Sequence, residues 1–225
     1  NSERYEQNVI KEYLAYRILN TLTDVSYRVR LARVTYIDSE QKDDDRVGYG
    51  FFIEHKVRLS KRIDLPEIST SRISSSDLEG PYSDLTSLFQ YMIGNTDFSP
   101  IAGAKGEDCC HNTTLFGHEG GAIYAIPYDF DMSGLVDAPY AEPNPKFRIR
   151  SVTQRLYRGR CNYIDNLPTS LQLFQDNRDV IYGLIEQQEQ LEESSRKKVR
   201  KFVDRFYKVI DDPKKVNREI QSQCI

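Results

Sequence analysis

The fold is decided by a stretch that begins GNTDFS (94–99) and, after a loop, continues CCHNTTLF (109–116), GHEGG (117–121) and AIYAIPYDFDMSGLVDAPYA (122–141). Two short apolar runs, Thr113–Phe116 and Ala122–Tyr128, flank a glycine-containing turn, and this pattern predicts a β-hairpin. A hairpin brings the residue before its first strand and the residue after its second strand to one end. We therefore expect Asn112 and Asp129 to meet in space.

Further polar residues are expected at the same end of the hairpin. Asp97 follows an apolar helical run and leads into the loop before Asn112, and Asp131 lies two positions after Asp129. An amide and two or three carboxylates that converge in this way suit a hard divalent cation such as Mg²⁺, which prefers oxygen ligands. Aspartates just after a strand also form ordinary Asx turns, and an Asx turn is therefore the alternative interpretation of Asp129 and Asp131 taken singly.

The order of these groups resembles that of the catalytic half of protein-kinase-like folds, in which Asp, Asn, a strand pair and Asp-Phe-x follow one another. The segments GNTD, HN and PYDFD are most similar to those of the CotH family of atypical kinases. They are more distantly similar to those of HipA-like and phosphoinositide-kinase-like enzymes. Three upstream segments resemble the helix and strands of the CotH type, so that the likeness spans roughly residues 8–141: VIKEYLAYRIL (9–19), SYRVRLARVTY (26–36) and VGYGFFIEHK (47–56).

The resemblance implies a catalytic role for Asp97 and a metal site at Asn112, Asp129 and Asp131. Asp97 would accept or orient the proton of the acceptor hydroxyl group. The metal site would hold Mg²⁺ or Mn²⁺ on the phosphates of ATP, with Asp131 as a second aspartate ligand or a substitute for Asp129.

Three further residues are cofactor-binding candidates by the same resemblance. Glu12 would be the helix glutamate that pairs with a lysine on an upstream strand, and Glu54 ends the strand before a hinge whose backbone binds adenine. Lys105 lies in the loop 98–111 and could reach a phosphate. A solvated glutamate at position 12 and a solvated surface lysine at position 105 remain open as alternatives.

The fold class is predicted as α+β and protein-kinase-like. Residues 1–63 form a partial N-terminal lobe, with a helix over 3–20 and antiparallel strands over 26–36 and 46–54, and residues 64–225 form a mainly helical C-terminal lobe that carries the hairpin. Helical patterns outside residues 3–20 cover the following segments: 57–62, 82–93, 167–175, 178–190, 192–211 and 213–223, with a capped helical turn over 151–157.

Composition narrows the classes of function. A chain of 225 residues, 39% hydrophobic and 29% charged, is typical of a globular protein with a sizeable core. A net charge of −3 argues against a nucleic-acid partner, and no apolar run approaches membrane-spanning length. The chain opens without a signal-peptide pattern.

The four cysteines give the main indication of the compartment. They lack the paired spacing of a zinc site, and we expect a disulfide between Cys161 and either Cys109 or Cys110. Such a bond would place the protein in a secreted, periplasmic or cell-surface setting. Reduced thiols, which would suit the cytoplasm, and a metal site are the alternatives.

The leading functional prediction is a metal-dependent atypical kinase that transfers the γ-phosphate of ATP to a protein hydroxyl group. Two features depart from ordinary protein kinases. Asp97 and Asn112 are 15 positions apart, against five in the usual catalytic loop, and neither a glycine-rich loop nor a strand with the phosphate-binding lysine precedes Glu12. A kinase-shaped scaffolding module without turnover is therefore the main alternative, and a metal-dependent hydrolase is a third.

Overall fold

The computed structural model of the chain describes residues 2–40, 42, 44–103, 106 and 108–225. Within these residues it contains seven α-helices and two separate two-stranded antiparallel sheets, which confirms the α+β class. None of the helices described there combines the length and the apolar character needed to cross a bilayer. In chain order the elements are α1 (Ser2–Leu22), β1 (Val29–Tyr36), β2 (Arg46–Ile53), α2 (Lys56–Ile63), α3 (Gly80–Ile93), β3 (Thr113–Phe116), β4 (Tyr124–Pro127), α4 (Leu167–Asp176), α5 (Arg178–Glu186), α6 (Glu193–Ile210) and α7 (Pro213–Glu219).

Helix α1 lies in the middle of the fold. Its side chains Ile10, Leu14 and Ile18 are fully buried and belong to one core together with Phe89 of α3 and Phe206 of α6. The helix packs against β2 on one side and against α5 on another. A single apolar core therefore runs across the lobe boundary predicted at residue 63, and the division of the chain at that boundary stays a prediction.

Strands β1 and β2 pair along their whole length, from Val29 opposite Ile53 to Tyr36 opposite Arg46, close to the predicted bounds. The imidazole Nδ1 of His55 accepts a hydrogen bond from the Val57 N–H at 3.3 Å and so caps the start of α2. The sheet and α2 thus form a continuous unit that leads from the end of β2 into the next helix.

Helix α3 delivers the chain to the predicted site. It is buried along nearly its whole length, and it ends at Ile93 because Gly94 adopts a left-handed conformation with φ of 66°. The predicted hairpin follows, with Thr113 of β3 opposite Pro127 of β4. The Gly134 N–H donates to the Gly94 carbonyl at 3.1 Å, so the segment after the hairpin returns to the end of α3.

Some helix ends differ from the predicted ones. Helix α5 ends at Glu186 rather than at residue 190, because the guanidinium of Arg196 binds the carbonyl groups of Ile185 at 2.6 Å and Leu191 at 2.9 Å and so supports a turn there. The capped turn predicted over residues 151–157 is shorter and covers residues 151–154, where the Ser151 Oγ accepts a hydrogen bond from the Thr153 N–H at 3.1 Å. The last predicted helix, over residues 213–223, is divided into α7 and a short 3₁₀ turn at Gln221–Gln223.

The predicted cysteine pairing is wrong. Cys161 lies at disulfide distance from Cys224, with a Cα–Cα distance of 4.9 Å and 63 positions between them in the chain. Cys109 and Cys110 lie at disulfide distance from each other. The packing of α4 to α7 brings the C-terminus back beside the 3₁₀ turn Cys161–Asn166, where the Cys161 N–H donates to the Ile225 carbonyl at 3.2 Å.

Candidate functional site

Asp97 is held in a tight turn just after α3. The Asn95 Oδ1 accepts a hydrogen bond from the Asp97 N–H at 2.9 Å, and Asn95 itself is 1% exposed. The guanidinium of Arg158 donates to the carbonyl groups of Thr96 at 2.9 Å and Phe98 at 2.7 Å and lies over the Phe98 ring. The backbone on both sides of Asp97 is therefore fixed, although Asp97 lies in a loop.

Asn112 reaches Asp97 despite the 15 positions between them. Its Nδ2 donates to the Asp97 carbonyl at 2.8 Å and to Oδ2 of the Asp97 carboxylate at 3.1 Å. Ser99 and His111 exchange two backbone hydrogen bonds, of 3.0 and 3.2 Å, which close the base of the long loop. The two ends of the loop therefore lie side by side.

The Asp-Phe-Asp segment is fixed from the other side by α1. Phe130 is fully buried, and its ring packs against that of Tyr16 with 4.6 Å between centroids. The hydroxyl oxygen of Tyr16 accepts a hydrogen bond from the Asp129 N–H at 2.8 Å, and Oε1 of Glu12 accepts one from the Phe130 N–H at 3.3 Å. Asp129 adopts a left-handed backbone with φ of 60°, which this pair of contacts stabilises.

Hairpin geometry joins the two halves of the site, as predicted from the sequence. The Tyr128 N–H donates to the Asn112 carbonyl at 3.0 Å, so the residue before Asp129 lies beside Asn112. Asp129 lies within electrostatic reach of the carboxylates of Asp131 and Asp97. The hydroxyl group of Tyr140 donates to Oδ2 of Asp131 at 3.0 Å.

The site is electrostatically dominated by carboxylates. Burial, followed by the charge of Asp131, raises the pKa of Asp129 from 3.8 to about 6. Burial raises the pKa of Glu12 from 4.5 to about 7, with Asp129 and Asp131 adding to the rise and the Phe130 N–H opposing it. Burial and the contact with Asp131 raise the pKa of Tyr140 to about 12. Each of these shifts favours the form that carries less negative charge.

The donor chemistry of the site fits a hard divalent cation. Asp129 and Asp131 could offer carboxylate oxygens and Asn112 its Oδ1, because Nδ2 of Asn112 is engaged with Asp97. A bound cation would relieve the repulsion that raises the pKa of Asp129. Among the residues described, no group of three or more His, Cys, Asp or Glu side chains is arranged to hold a metal ion.

Glu54 directly follows β2 and makes its contacts outside the group of Asp97, Asn112, Asp129 and Asp131. Its carboxylate forms an ion pair with Arg62 at 2.7 Å, and both side chains are largely buried. Its backbone N–H donates to the Arg28 carbonyl at 2.8 Å. The Arg62 contact lowers the pKa of Glu54 against the opposing effect of burial. Lys105, the predicted phosphate ligand, lies outside the described residues.

A cavity of about 630 Å³ connects the end of β2 with the hairpin. On one side it is lined by the segment Glu54, His55 and Lys56, and on the other by Thr114 and Tyr128. Its volume lies within the range of small-molecule sites. Tyr128 directly precedes Asp129, whereas none of the predicted site residues Asp97, Asn112, Asp129 and Asp131 lines the cavity.

Sequence reasoning missed several residues of the site. Tyr16 is four positions after Glu12, and this spacing places both side chains on one face of α1, a signal that was available. His111, which directly precedes Asn112, belongs to the site as well, because its Nε2 lies 2.9 Å from Oδ1 of Asp97. The positions of Tyr140 and Arg158 depend on the irregular segment after Asp131, for which periodicity gives no guide.

The chain was compared with known proteins in three ways. No family model, no curated protein and no solved structure matches the chain.

Proposed function

We propose that this chain is a CotH-like atypical kinase with a protein-kinase-like fold, which transfers the γ-phosphate of ATP to a protein hydroxyl group in the presence of Mg²⁺ or Mn²⁺. One observation carries the proposal. The ends of α3 and of the β3–β4 hairpin bring Asp97, Asn112 and Asp129 together, and α1 joins this group through Glu12. The predicted order of polar groups thus corresponds to one cluster in space.

The nucleotide is assigned to the cavity of about 630 Å³. Its lining includes residues that follow β2 and residues of the hairpin, so both segments would contact the nucleotide, and Tyr128 of the lining directly precedes Asp129. Asn112, Asp129 and Asp131 would hold the cation. When bound, that cation neutralises charge on the phosphates and fixes their orientation.

The protein groups then have distinct tasks. Asp97 orients the acceptor hydroxyl group and takes up its proton while the hydroxyl oxygen forms a bond to the γ-phosphorus. The bond between that phosphorus and the β–γ bridging oxygen breaks at the same time, and ADP is released. Arg158 and Asn95 hold the backbone beside Asp97. Glu12 fixes the backbone of the Asp-Phe-Asp segment through Phe130.

The cysteines support a setting for this activity. Two pairs, Cys109–Cys110 and Cys161–Cys224, lie at disulfide distance. Disulfides persist in oxidising compartments. We therefore assign the protein to a secreted, periplasmic or cell-surface environment, with protein acceptors exposed there.

A non-catalytic, kinase-shaped binding module is the second candidate. It is favoured by the contact that Glu12 makes: among the described residues its carboxylate accepts from the Phe130 N–H, and no lysine forms an ion pair with it. In that case the site would bind a nucleotide or a protein without transferring phosphate.

Phosphate transfer from γ-³²P-labelled ATP to dephosphorylated casein, or to the chain itself, tests the proposal. We expect transfer that requires Mg²⁺ or Mn²⁺ and falls by about 100-fold or more in Asp97→Asn and Asp129→Asn. Asp165→Asn makes the same change at an exposed position and serves as the matched control. Transfer that is equal in all four proteins would overturn the assignment of the site. ATP binding without any transfer would favour the second candidate.

A further inference from the structure

A second, larger cavity of about 890 Å³ lies between α1, the segment after Asp131 and α6. It shares no lining residue with the cavity assigned to the nucleotide. Basic side chains are prominent in its lining, and those contributed by α6 are Lys198, Lys201 and Arg205.

The three basic residues of α6 form a row along one face of the helix. Their spacing of three and four positions corresponds to successive turns, and the row is about 10 Å long at 1.5 Å per residue. In the part of the chain that the structure describes, none of the three forms an ion pair, whereas Arg196, Lys197 and Arg200 of the same helix do.

Asn8 provides an independent sign of a ligand. The residue is 7% exposed, lines the cavity, and its Nδ2 has no hydrogen-bond partner in the structure. Buried amide groups are normally hydrogen-bonded, and one that is not requires an explanation. Because Nδ2 is itself covered by neighbouring atoms, a hydrogen-bond acceptor in the cavity would satisfy it after a turn of the Asn8 side chain.

The start of α6 adds further donors. Helix α6 has 18 residues, its N-cap Glu192 makes no side-chain capping hydrogen bond, and Ser194 and Ser195 of its first turn line the cavity. Uncapped N–H groups at a helix N-terminus favour an anion. The cavity also contains the carboxylates of Asp137 and Glu192, which are outnumbered by four basic side chains, the three of α6 and Lys11.

We infer that this cavity binds a small molecule that carries more than one phosphate group. The donors are amide, guanidinium and ammonium groups, which match phosphate oxygens. A row of charges about 10 Å long is too extended for one phosphate ion, and a volume of about 890 Å³ is within the range of small-molecule sites. This inference does not depend on the proposed kinase activity.

Calorimetric titration with sodium tripolyphosphate in the presence of EDTA tests the inference, because the chelator keeps the metal-dependent site out of the measurement. We expect Lys198→Ala/Lys201→Ala to weaken binding by about ten-fold or more, since charge-assisted contacts are lost. The matched control is Lys197→Ala/Lys208→Ala, which removes the same charge from the same helix outside the cavity. Equal weakening in the two double variants, or no binding by the wild type, would overturn the inference.

Two further arms define the ligand. Asn8→Ala should weaken tripolyphosphate binding by about three-fold to ten-fold while leaving thermal stability unchanged or raised, because it removes an unsatisfied donor. Inorganic phosphate and free phosphoserine should bind at least about ten-fold more weakly than tripolyphosphate, which has several anionic groups to place along the row. Equal affinity for all three probes would overturn the assignment to a ligand with several phosphates. Asp129→Asn should bind tripolyphosphate with the wild-type affinity. Tripolyphosphate binding is thereby tested separately from the proposed kinase activity.

Discussion

Glu12→Gln should stabilise the metal-free protein at alkaline pH. Glu12 is a largely buried carboxylate beside Asp129 and Asp131, and its pKa is raised from 4.5 to about 7, first by burial and then by those two charges. A glutamine keeps an oxygen that can accept from the Phe130 N–H, so the main structural contact of the side chain survives.

The sign and size of the effect follow from the shift in pKa. Because the folded-state pKa lies above the unfolded value, the wild type loses stability as pH rises from about 4.5 to about 7, and the full loss is present above pH 7. At about 1.4 kcal/mol per pKa unit, the change from 4.5 to about 7 corresponds to about 3 kcal/mol. The variant lacks this titration, so its advantage should be largest at pH 8 and should vanish toward pH 4.5.

Urea unfolding followed by circular dichroism at pH 5, 6, 7 and 8, with EDTA throughout, measures both profiles. Glu189→Gln makes the same chemical change at an exposed position and provides the control. Saturating Mg²⁺ should reduce the advantage of Glu12→Gln at pH 8, since a cation offsets the repulsion among the carboxylates. A Glu12→Gln protein whose stability falls with pH in parallel with the wild type, or that is less stable at pH 8, would refute this reasoning.

Three other variants probe the fold and the loop that carries Asp97. Cys161→Ser should lower the free energy of unfolding in urea by about 4 kcal/mol, which is the loop-closure value for a span of 63 positions, and the reduced wild type should have the same stability as the variant. Equal stability of the oxidised wild type and the variant would contradict this expectation. Arg62→Ala should lower the free energy of unfolding by about 2–3 kcal/mol in the same assay, because it leaves the largely buried Glu54 without its cation. A loss below about 0.5 kcal/mol, which is the size of an ordinary surface effect, would show that the ion pair does not stabilise the fold. Arg158→Ala should reduce phosphate transfer by about ten-fold or more with ATP affinity unchanged, since it releases the backbone beside Asp97; an unchanged rate would argue against that positioning role.

The core of the site was predictable because it depends on local topology. A β-hairpin places Asn112 and Asp129 at one end whatever the rest of the chain does, and the helix before Gly94 carries Asp97 into the same loop. The 15 positions between Asp97 and Asn112 were the main difficulty for this prediction. The backbone pairing of Ser99 with His111 removes that difficulty, and no periodic pattern in the sequence indicates such an isolated pairing.

The cysteines and arginines show where sequence reasoning ends. The contact of Cys161 with Cys224 depends on how four helices pack, which spacing along the chain does not reveal. Arg155 binds the carbonyl groups at the end of α3, at 3.0 to 3.2 Å, because the last carbonyls of a helix lack partners within it. No spacing in the sequence indicates this contact.

Calorimetric titration with ATP, in the presence and absence of Mg²⁺, tests the central claim most directly. The account predicts metal-dependent binding by the wild type and by Asp165→Asn, and a loss of at least about ten-fold in affinity for Asp129→Asn, because a metal ligand is removed. Circular dichroism establishes that each variant is folded. Absence of metal-dependent ATP binding in the folded wild type, or its full retention in Asp129→Asn, would contradict the assignment of this carboxylate cluster to a nucleotide site.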